Sequence, residues 1–292
     1  MFKGVYTALI TPFKGGRIDY ASLEKIIEMQ IKGGVDGVLP MGTTGESPTL
    51  SHDEHKEFIR KVVKQVDKRI TVIAGTGSNS TEEAIDLSRS AADGGVDAIM
   101  LVNPYYNKPP QRGLVEHFAS VAHSVSLPVI LYNIPGRTGI NFQPESICEL
   151  LDKAENVVAI KEASGNLVQM MNIIELCGDR LTLLSGDDNL LLPVLAIGGK
   201  GVISVLANLL PGDMKRVVTD FEKGEFEESK KLFYRLLPLC RAMFYETNPI
   251  PVKAAMELMG YCSSEMRLPL VSLSEENRNR LRQVMTEYGL SL

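Results

Sequence analysis

Val157-Val158-Ala159-Ile160-Lys161-Glu162 is followed, after Ala163-Ser164-Gly165-Asn166, by the amphipathic stretch 167–177 and then by a second apolar run, 181–185. A short continuous apolar run, a helical stretch and another apolar run form the pattern of parallel strands covered on both faces. Upstream, the same unit repeats. Strands are expected at 4–11, 37–40, 71–74, 98–102 and 128–132, with helices at 21–33, after Ser51, after Ser80, at 114–125 and opening at Pro144. Downstream, strand 157–160 and helix 167–177 give way to strand 181–185, helix 189–197, strand 201–205 and a helix after Pro211. Ser51-x-x-Glu54 and Ser80-x-x-Glu83 fit capping boxes, and Pro144 and Pro211 fit first helical positions.

Eight strand-helix units predict an α/β chain closed as a (β/α)8 TIM barrel. A doubly wound open sheet is the alternative. It usually carries Gly-x-Gly-x-x-Gly after its first strand, where this chain reads Thr11-Pro12-Phe13-Lys14-Gly15-Gly16. After Gly224 the strand pattern stops, and 226–245, 251–260 and 274–289 read as helices. The expected division is a barrel over 1–224 and a C-terminal three-helix appendage over 225–292.

Of the 292 residues, 44% are hydrophobic and 23% charged, enough for a sizeable core in a globular chain. A net charge of −5 argues against a nucleic-acid surface. No apolar run approaches the roughly 20 residues of a membrane span, and the N-terminus lacks a signal-peptide pattern. Cys148, Cys177, Cys240 and Cys262 form no Cys-x-x-Cys pair and read as small buried residues of a reducing compartment. The expectation is a cytoplasmic protein with neither membrane nor nucleic-acid partner.

Active sites of such barrels lie at the C-terminal ends of the strands. Those ends carry Gly42-Thr43-Thr44-Gly45-Glu46-Ser47, Gly75-Thr76-Gly77, Asn103-Pro104-Tyr105-Tyr106, Tyr132-Asn133, Lys161-Glu162, Ser185-Gly186-Asp187-Asp188 and Ser204. With no His or Cys among them, a metal site is poorly supplied. Lys161 ends the most apolar strand. Desolvation there would lower its pKa and supply the neutral amine that attacks a ketone, although position alone favours a structural ion pair, with Glu162 or Asp187. Tyr132 is either a proton shuttle or a core aromatic. The Gly42-Thr43-Thr44-Gly45 loop is either a carboxylate cradle or a tight turn. Arg137, in a Pro-Gly-Arg-Thr turn, is either a carboxylate fork or an ordinary exposed arginine.

Gly42-Thr43-Thr44-Gly45-Glu46-Ser47, Tyr132-Asn133-Ile134-Pro135 and Ile160-Lys161-Glu162-Ala163-Ser164-Gly165-Asn166 together resemble the motifs of the N-acetylneuraminate lyase and dihydrodipicolinate synthase superfamily. The resemblance covers essentially the whole chain. Arg137-Thr138, Pro104-Tyr105-Tyr106 and Asn248-Pro249-Ile250-Pro251-Val252-Lys253 point to its dihydrodipicolinate synthase branch. The resemblance implies a class I aldol condensation of pyruvate with L-aspartate 4-semialdehyde, giving 4-hydroxy-tetrahydrodipicolinate on the diaminopimelate route to lysine.

It implies that Lys161 forms the imine, and that Tyr132 relays protons through Thr43 to Tyr106 of a neighbouring subunit. Thr44 would hold the pyruvate carboxylate, Arg137 the aldehyde's carboxylate, and Gly186 and Ile203 would lend backbone atoms. No dissociable cofactor or metal is implied. A homotetramer built from two tight dimers is, as is inhibition by lysine at Ser47, His52, His55, Asn79, Glu83 and Tyr105. Hydroxyls and imidazoles would there donate to the inhibitor's carboxylate. Pro48 departs from the alanine common in relatives, and its fixed φ would reshape that pocket. A sialic acid lyase or keto-deoxy-sugar acid aldolase would share Lys161 and Tyr132 but not the use of Arg137. A non-catalytic binding barrel would need none of them.

Overall fold

In the computed structural model, which describes residues 2–292, the strands are β1 (Gly4–Ala8), β2 (Phe13–Lys14), β3 (Arg17–Ile18), β4 (Gly37–Leu39), β5 (Thr71–Gly75), β6 (Ala98–Val102), β7 (Val129–Asn133), β8 (Val157–Glu162), β9 (Thr182–Ser185) and β10 (Gly201–Ser204). The barrel helices are α1 (Tyr20–Lys32), α2 (His52–Val66), α3 (Thr81–Asp93), α4 (Gln111–His123), α5 (Pro135–Thr138), α6 (Pro144–Lys153), α7 (Leu167–Cys177), α8 (Leu191–Ala196) and α9 (Pro211–Glu222). They are followed by α10 (Phe226–Ala242), α11 (Ile250–Leu258) and α12 (Glu275–Tyr288). Eight strands close in the order β1-β10-β9-β8-β7-β6-β5-β4. The chain is a (β/α)8 barrel, and the open doubly wound sheet is ruled out by the β1–β4 and β1–β10 pairings.

Alternation along each strand divides the core in two. Tyr6, Ala8, Leu39, Ile73, Ala98, Met100, Ile130, Tyr132, Ala159, Leu184 and Ile203 fill the lumen. Val5, Val38, Val72, Ile99, Leu131, Ile160, Leu183 and Val202 face the helices. Each such side chain contributes about 1.5–3 kcal/mol by leaving water. Register then places Tyr132 opposite Lys161, and Lys161 opposite Leu184.

The differences from expectation have local causes. β1 stops at Ala8 rather than at residue 11, because the next groups leave the ladder: the Ile10 N–H donates to Asn208 Oδ1 at 3.2 Å and the Thr11 hydroxyl to the Gly45 carbonyl at 2.6 Å. The loop beyond folds back as the small antiparallel pair β2–β3. Residues 135–138, expected as a turn, form a helical turn closed by Gly139 at φ 72°. Ser51 makes the full capping box with Glu54. Ser80 makes only half of one. Its hydroxyl accepts from the Glu83 N–H, but the Glu83 carboxylate turns away to Ser78 and His52.

The C-terminal helices are stitched to the barrel mouth by polar contacts as well as by the packing of α10 on α9. Lys253 of α11 and Glu46 are both fully buried, and their charged ends lie 2.7 Å apart. Glu46 sits in the left-handed region at φ 57°, and its second oxygen accepts from the Arg267 N–H at 3.3 Å. Lys253 also donates to the Glu265 carbonyl and lies 4.4 Å from the centre of the Phe13 ring.

Removing one partner of a buried pair strands the other charge and costs about 3–5 kcal/mol. Lys253→Ala is therefore expected to lose about that much in urea unfolding, whereas Lys253→Met combined with Glu46→Leu recovers most of it. A loss below about 1 kcal/mol in the single variant would mean that the pair does not hold this junction.

Candidate active site

Lys161 belongs to the lumen side of β8 and Glu162 to the helix side, because neighbouring residues of a strand point to opposite faces. The ion pair between them that the sequence left open is thereby excluded. The Glu162 carboxylate instead accepts from Asn133 Nδ2 at 2.9 Å, Gln169 Nε2 at 3.3 Å and the Ser164 N–H at 2.7 Å. Among the described residues Lys161 makes no ion pair. Its side chain is 5% exposed, with Nζ 4.3 Å from the centre of the Tyr132 ring. Burial pulls its pKa from 10.5 down to about 8, against the opposing field of Asp188 and with a smaller push from Arg137.

Tyr132 is pushed up to about 12 by burial, partly offset by the Arg137 charge and a hydrogen bond with Thr43. It remains a hydroxyl at neutral pH, able to donate and accept. Asp188 is buried, with one oxygen accepting from the Val205 and Leu206 N–H groups at 3.0 and 2.8 Å, and burial raises its pKa to about 6. Gly186 is a residue whose missing side chain matters: a Cβ there would lie 2.6 Å from Ala163 Cβ and 3.1 Å from Lys161 Cγ. Pairing of Val202 with Ser185 leaves Ile203, fully buried on the lumen side, beside it.

Between β4 and α2 the loop turns on Gly45 N–H to Gly42 carbonyl, 3.0 Å, and Glu46 N–H to Thr43 carbonyl, 3.1 Å. Among the described residues the N–H groups of Thr43 and Thr44 find no partner in the chain. Two free amides beside two hydroxyls form a cradle for a carboxylate. The Thr44 hydroxyl is buried and accepts from Asn248 Nδ2 at 3.0 Å, while the Asn248 carbonyl accepts from Arg137 Nη2 at 2.9 Å. The sequence offered Asn248 only as part of a family segment. Its part in joining Thr44 to Arg137 depends on a contact between residues 204 positions apart. Tyr106 is not brought to this group. It stands 90% exposed at φ 71°, and Tyr105 is 39% exposed beside it.

A cavity of about 380 Å³ opens next to the cradle, lined by Thr43, Arg137, Ser47, His52, His55, Glu83 and Tyr105 among others. Asn79 adjoins it, donating from Nδ2 to the Tyr105 carbonyl at 3.2 Å. All six residues expected to bind an inhibitor therefore gather at one place, together with Pro48. One expectation about their chemistry is corrected. His55 Nε2 lies 2.9 Å from the Gly75 carbonyl, an acceptor only, so that nitrogen carries the proton. Burial lowers the ring's pKa to about 4, which keeps it neutral. Its buried Nδ1 has no partner and can only accept, so His55 is no donor to a carboxylate. Among the described residues no group of three or more His, Cys, Asp or Glu side chains is arranged to hold a metal ion. Nor, among those residues, is any helix long and apolar enough to cross a membrane.

A model of the Dihydrodipicolinate synthetase family matches residues 1–288. The chain belongs to that family. It is similar to the 4-hydroxy-tetrahydrodipicolinate synthase of Leptospira biflexa, 58% identical over 275 residues that cover 94% of this chain and 93% of the relative. The dihydrodipicolinate synthase structure from Aquifex aeolicus superposes with a TM-score of 0.98 at 46% identity, covering 100% of this chain and 99% of that one. The Cyanidioschyzon merolae enzyme, solved with lysine bound, gives 0.96 at 43% identity over 99% of both chains.

The lowered pKa of Lys161 has a kinetic consequence. If Lys161 is the residue that adds to pyruvate, the attacking species is its free amine, whose fraction grows as pH rises, so borohydride-trapped pyruvate adduct should form faster up to about pH 8 and level off above it. A lysine at 10.5 would continue to gain rate well beyond that pH. Lys161→Ala is expected to form no adduct at any pH. An adduct on another residue, or a rate still climbing tenfold per unit above pH 9, contradicts the assignment.

Proposed function

We infer that this chain is a Schiff-base-forming lyase acting as a 4-hydroxy-tetrahydrodipicolinate synthase. It condenses pyruvate with L-aspartate 4-semialdehyde in the diaminopimelate route to lysine. The observation that carries the reading is a buried lysine without an ion-pair partner, its Nζ 4.3 Å from the centre of the ring of Tyr132, which in turn hydrogen-bonds Thr43 of the hydroxyl-and-amide cradle. Neutral Lys161 attacks the pyruvate ketone, and loss of water gives the imine. Loss of a methyl proton gives the enamine, a neutral carbon nucleophile in place of a strongly basic carbanion. The enamine carbon adds to the aldehyde, and cyclisation frees the lysine. The lysine imine is itself the electron sink, so the reading calls for no dissociable cofactor or metal.

Tyr132 and Thr43 carry protons to and from the carbinolamine, with Tyr106 completing the relay from a neighbouring subunit. An aromatic side chain left 90% exposed beside the mouth supports that role across an interface. Thr44 and the free amides of its loop hold the pyruvate carboxylate. Gly186 keeps space beside Lys161, and Ile203 contributes its backbone on the neighbouring strand.

The assembly is a homotetramer made of two tight dimers. The exposed Val168, Met171 and Leu176 on α7 support a further contact between copies. Residues 1–224 carry the reacting groups, and 225–292 brace the mouth through Asn248 and Lys253. The metabolite substrates and four free cysteines favour a cytoplasmic location.

Arg137 supplies the fork for the aldehyde's carboxylate, and it separates this reading from a sialic acid lyase or sugar-acid aldolase. Arg137→Ala should raise the requirement for aspartate semialdehyde by about one to two orders of magnitude, as loss of a charge-assisted contact of about 1.5–3 kcal/mol demands. Pyruvate trapping should be nearly unchanged. Equal losses for both, or turnover of N-acetylneuraminate by the native chain, would refute the assignment.

Lysine, the end product, is the proposed inhibitor at the adjoining cavity. Glu83 and the bare Nδ1 of His55 accept from its ammonium groups. The hydroxyl of Ser47 and the amide of Asn79 meet its carboxylate, and His52 and Tyr105 close the rim. Millimolar lysine should depress native activity, and Glu83→Ala should need about tenfold more. Undiminished native activity with no heat of binding defeats the proposal, and inhibition unchanged in Glu83→Ala removes this cavity as its origin.

A further inference from the structure

Cys148 on α6 and Cys177, the last residue of α7, bring their sulfurs to 2.8 Å. Neither is bonded to another cysteine. Thiols at van der Waals contact stand farther apart than this, and a disulfide needs about 2.05 Å, so closure takes a shift of less than about 1 Å between two helices already packed together. Cys148 is half-buried and Cys177 buried. An oxidant in solution thus meets Cys148 first, and Cys177 is reached only from within the protein. The segment between them contains the whole of β8 and therefore Lys161.

We propose that Cys148 and Cys177 form a modification site, an oxidisable dithiol that closes to an internal disulfide by exchange with small disulfides of the glutathione type and braces the strand bearing Lys161. The Cys148 thiolate attacks one sulfur of the small disulfide, forming a mixed disulfide and expelling one small thiolate, which takes up a proton. Cys177 then gives its proton to solvent and attacks the Cys148 sulfur, expelling the second small thiol. Both protein thiols are oxidised, and one small disulfide is reduced to two thiols. Burial pushes the Cys177 thiol up to about 12, while the nearby Arg180 charge opposes that rise. The second step is therefore the slow one, and the mixed disulfide on Cys148 is its precursor. Cys240 and Cys262 are held above the ordinary thiol range by burial and, among the described residues, have no cysteine sulfur at hydrogen-bond distance, so they are expected to remain reduced.

Closing this loop removes entropy from the unfolded chain, so the oxidised protein should melt about 5–10 °C higher. The test is incubation of the full chain with oxidised glutathione, followed by peptide mapping, a thermal melt and borohydride trapping of pyruvate. Loss of two hydrogens, a mapped Cys148–Cys177 bridge, a higher Tm and retained trapping on Lys161 are expected. Cys177→Ser should stop at the glutathione adduct on Cys148, and Cys148→Ser should form neither bridge nor adduct. A persistent adduct on Cys148 in the native chain, a bridge to Cys240 or Cys262, an unchanged or lower Tm, or loss of trapping on oxidation would each overturn the proposal.

Discussion

A buried lysine amine that lacks an ion-pair partner is held only weakly as the ammonium, and the geometry around Lys161 follows from leaving it without one, which brings its pKa down to about 8 and frees a usable fraction of amine. A charge in a low-dielectric interior costs several kcal/mol unless an opposite charge and hydrogen bonds compensate it. The barrel withholds that compensation. Strand alternation sends Glu162 to the far side of β8, and Glu162 is occupied there by Asn133, Gln169 and the Ser164 amide. Asp188 acts on Lys161 only through its field, while its own burial biases it toward the neutral acid.

The other deeply buried lysine is the control that the molecule supplies for itself. Lys253 also loses solvation, and burial lowers its pKa, but Glu46 lies 2.7 Å away and the Glu265 carbonyl and Phe13 ring complete its surroundings. One lysine is given a partner and is structural, whereas the other is denied one and is the proposed reactive amine. The paired lysine serves the reactive one. Glu46 lies in the same loop as Thr43 and Thr44, so anchoring it from α11 fixes the amides of the cradle, while Asn248 ties down Thr44 and Arg137 from the same segment.

Much of this was legible in the sequence because it depends on short-range pattern. Continuous apolar runs gave the parallel strands, and the residues ending those runs gave Lys161, Tyr132 and the Gly42–Gly45 loop. What escaped depends on distance. Whether Lys161 pairs with Glu162 is decided by strand alternation once β8 extends through both. The Ser80-x-x-Glu83 pattern looked like a capping box, but the carboxylate found stronger partners in Ser78 and His52. The hydrogen-bonding sense of His55 cannot be read from its neighbours in sequence, because the Gly75 carbonyl that fixes it lies on β5. Residues 135–138 form a helical turn because the Arg137 and Thr138 N–H groups both close on the Ile134 carbonyl, a local preference that Pro-Gly concealed.

In the reading proposed above, the same loop would link a ligand in the adjoining cavity to the candidate active site. Residues 43–47 carry two faces of one short backbone. Thr43 and Thr44 supply the free amides of the cradle, and Thr43 also lines the adjoining cavity together with Ser47, Glu83 and His52. A ligand engaging Ser47 and Glu83 must compete with the existing His52–Glu83 contact of 2.9 Å, so binding rearranges the cavity wall. Its coupling to catalysis is limited to the difference in its affinity for the two arrangements of that wall. Glu46 is fixed between Ser47 and the Thr pair by Lys253, so the loop has little freedom to absorb the displacement. Under the proposed roles, a displacement at Ser47 would reach the Thr43 and Thr44 amides, the proposed seat of the pyruvate carboxylate, only as a pivot about Glu46. The buried pair that stabilises the fold therefore sets how far binding at the cavity could move the cradle.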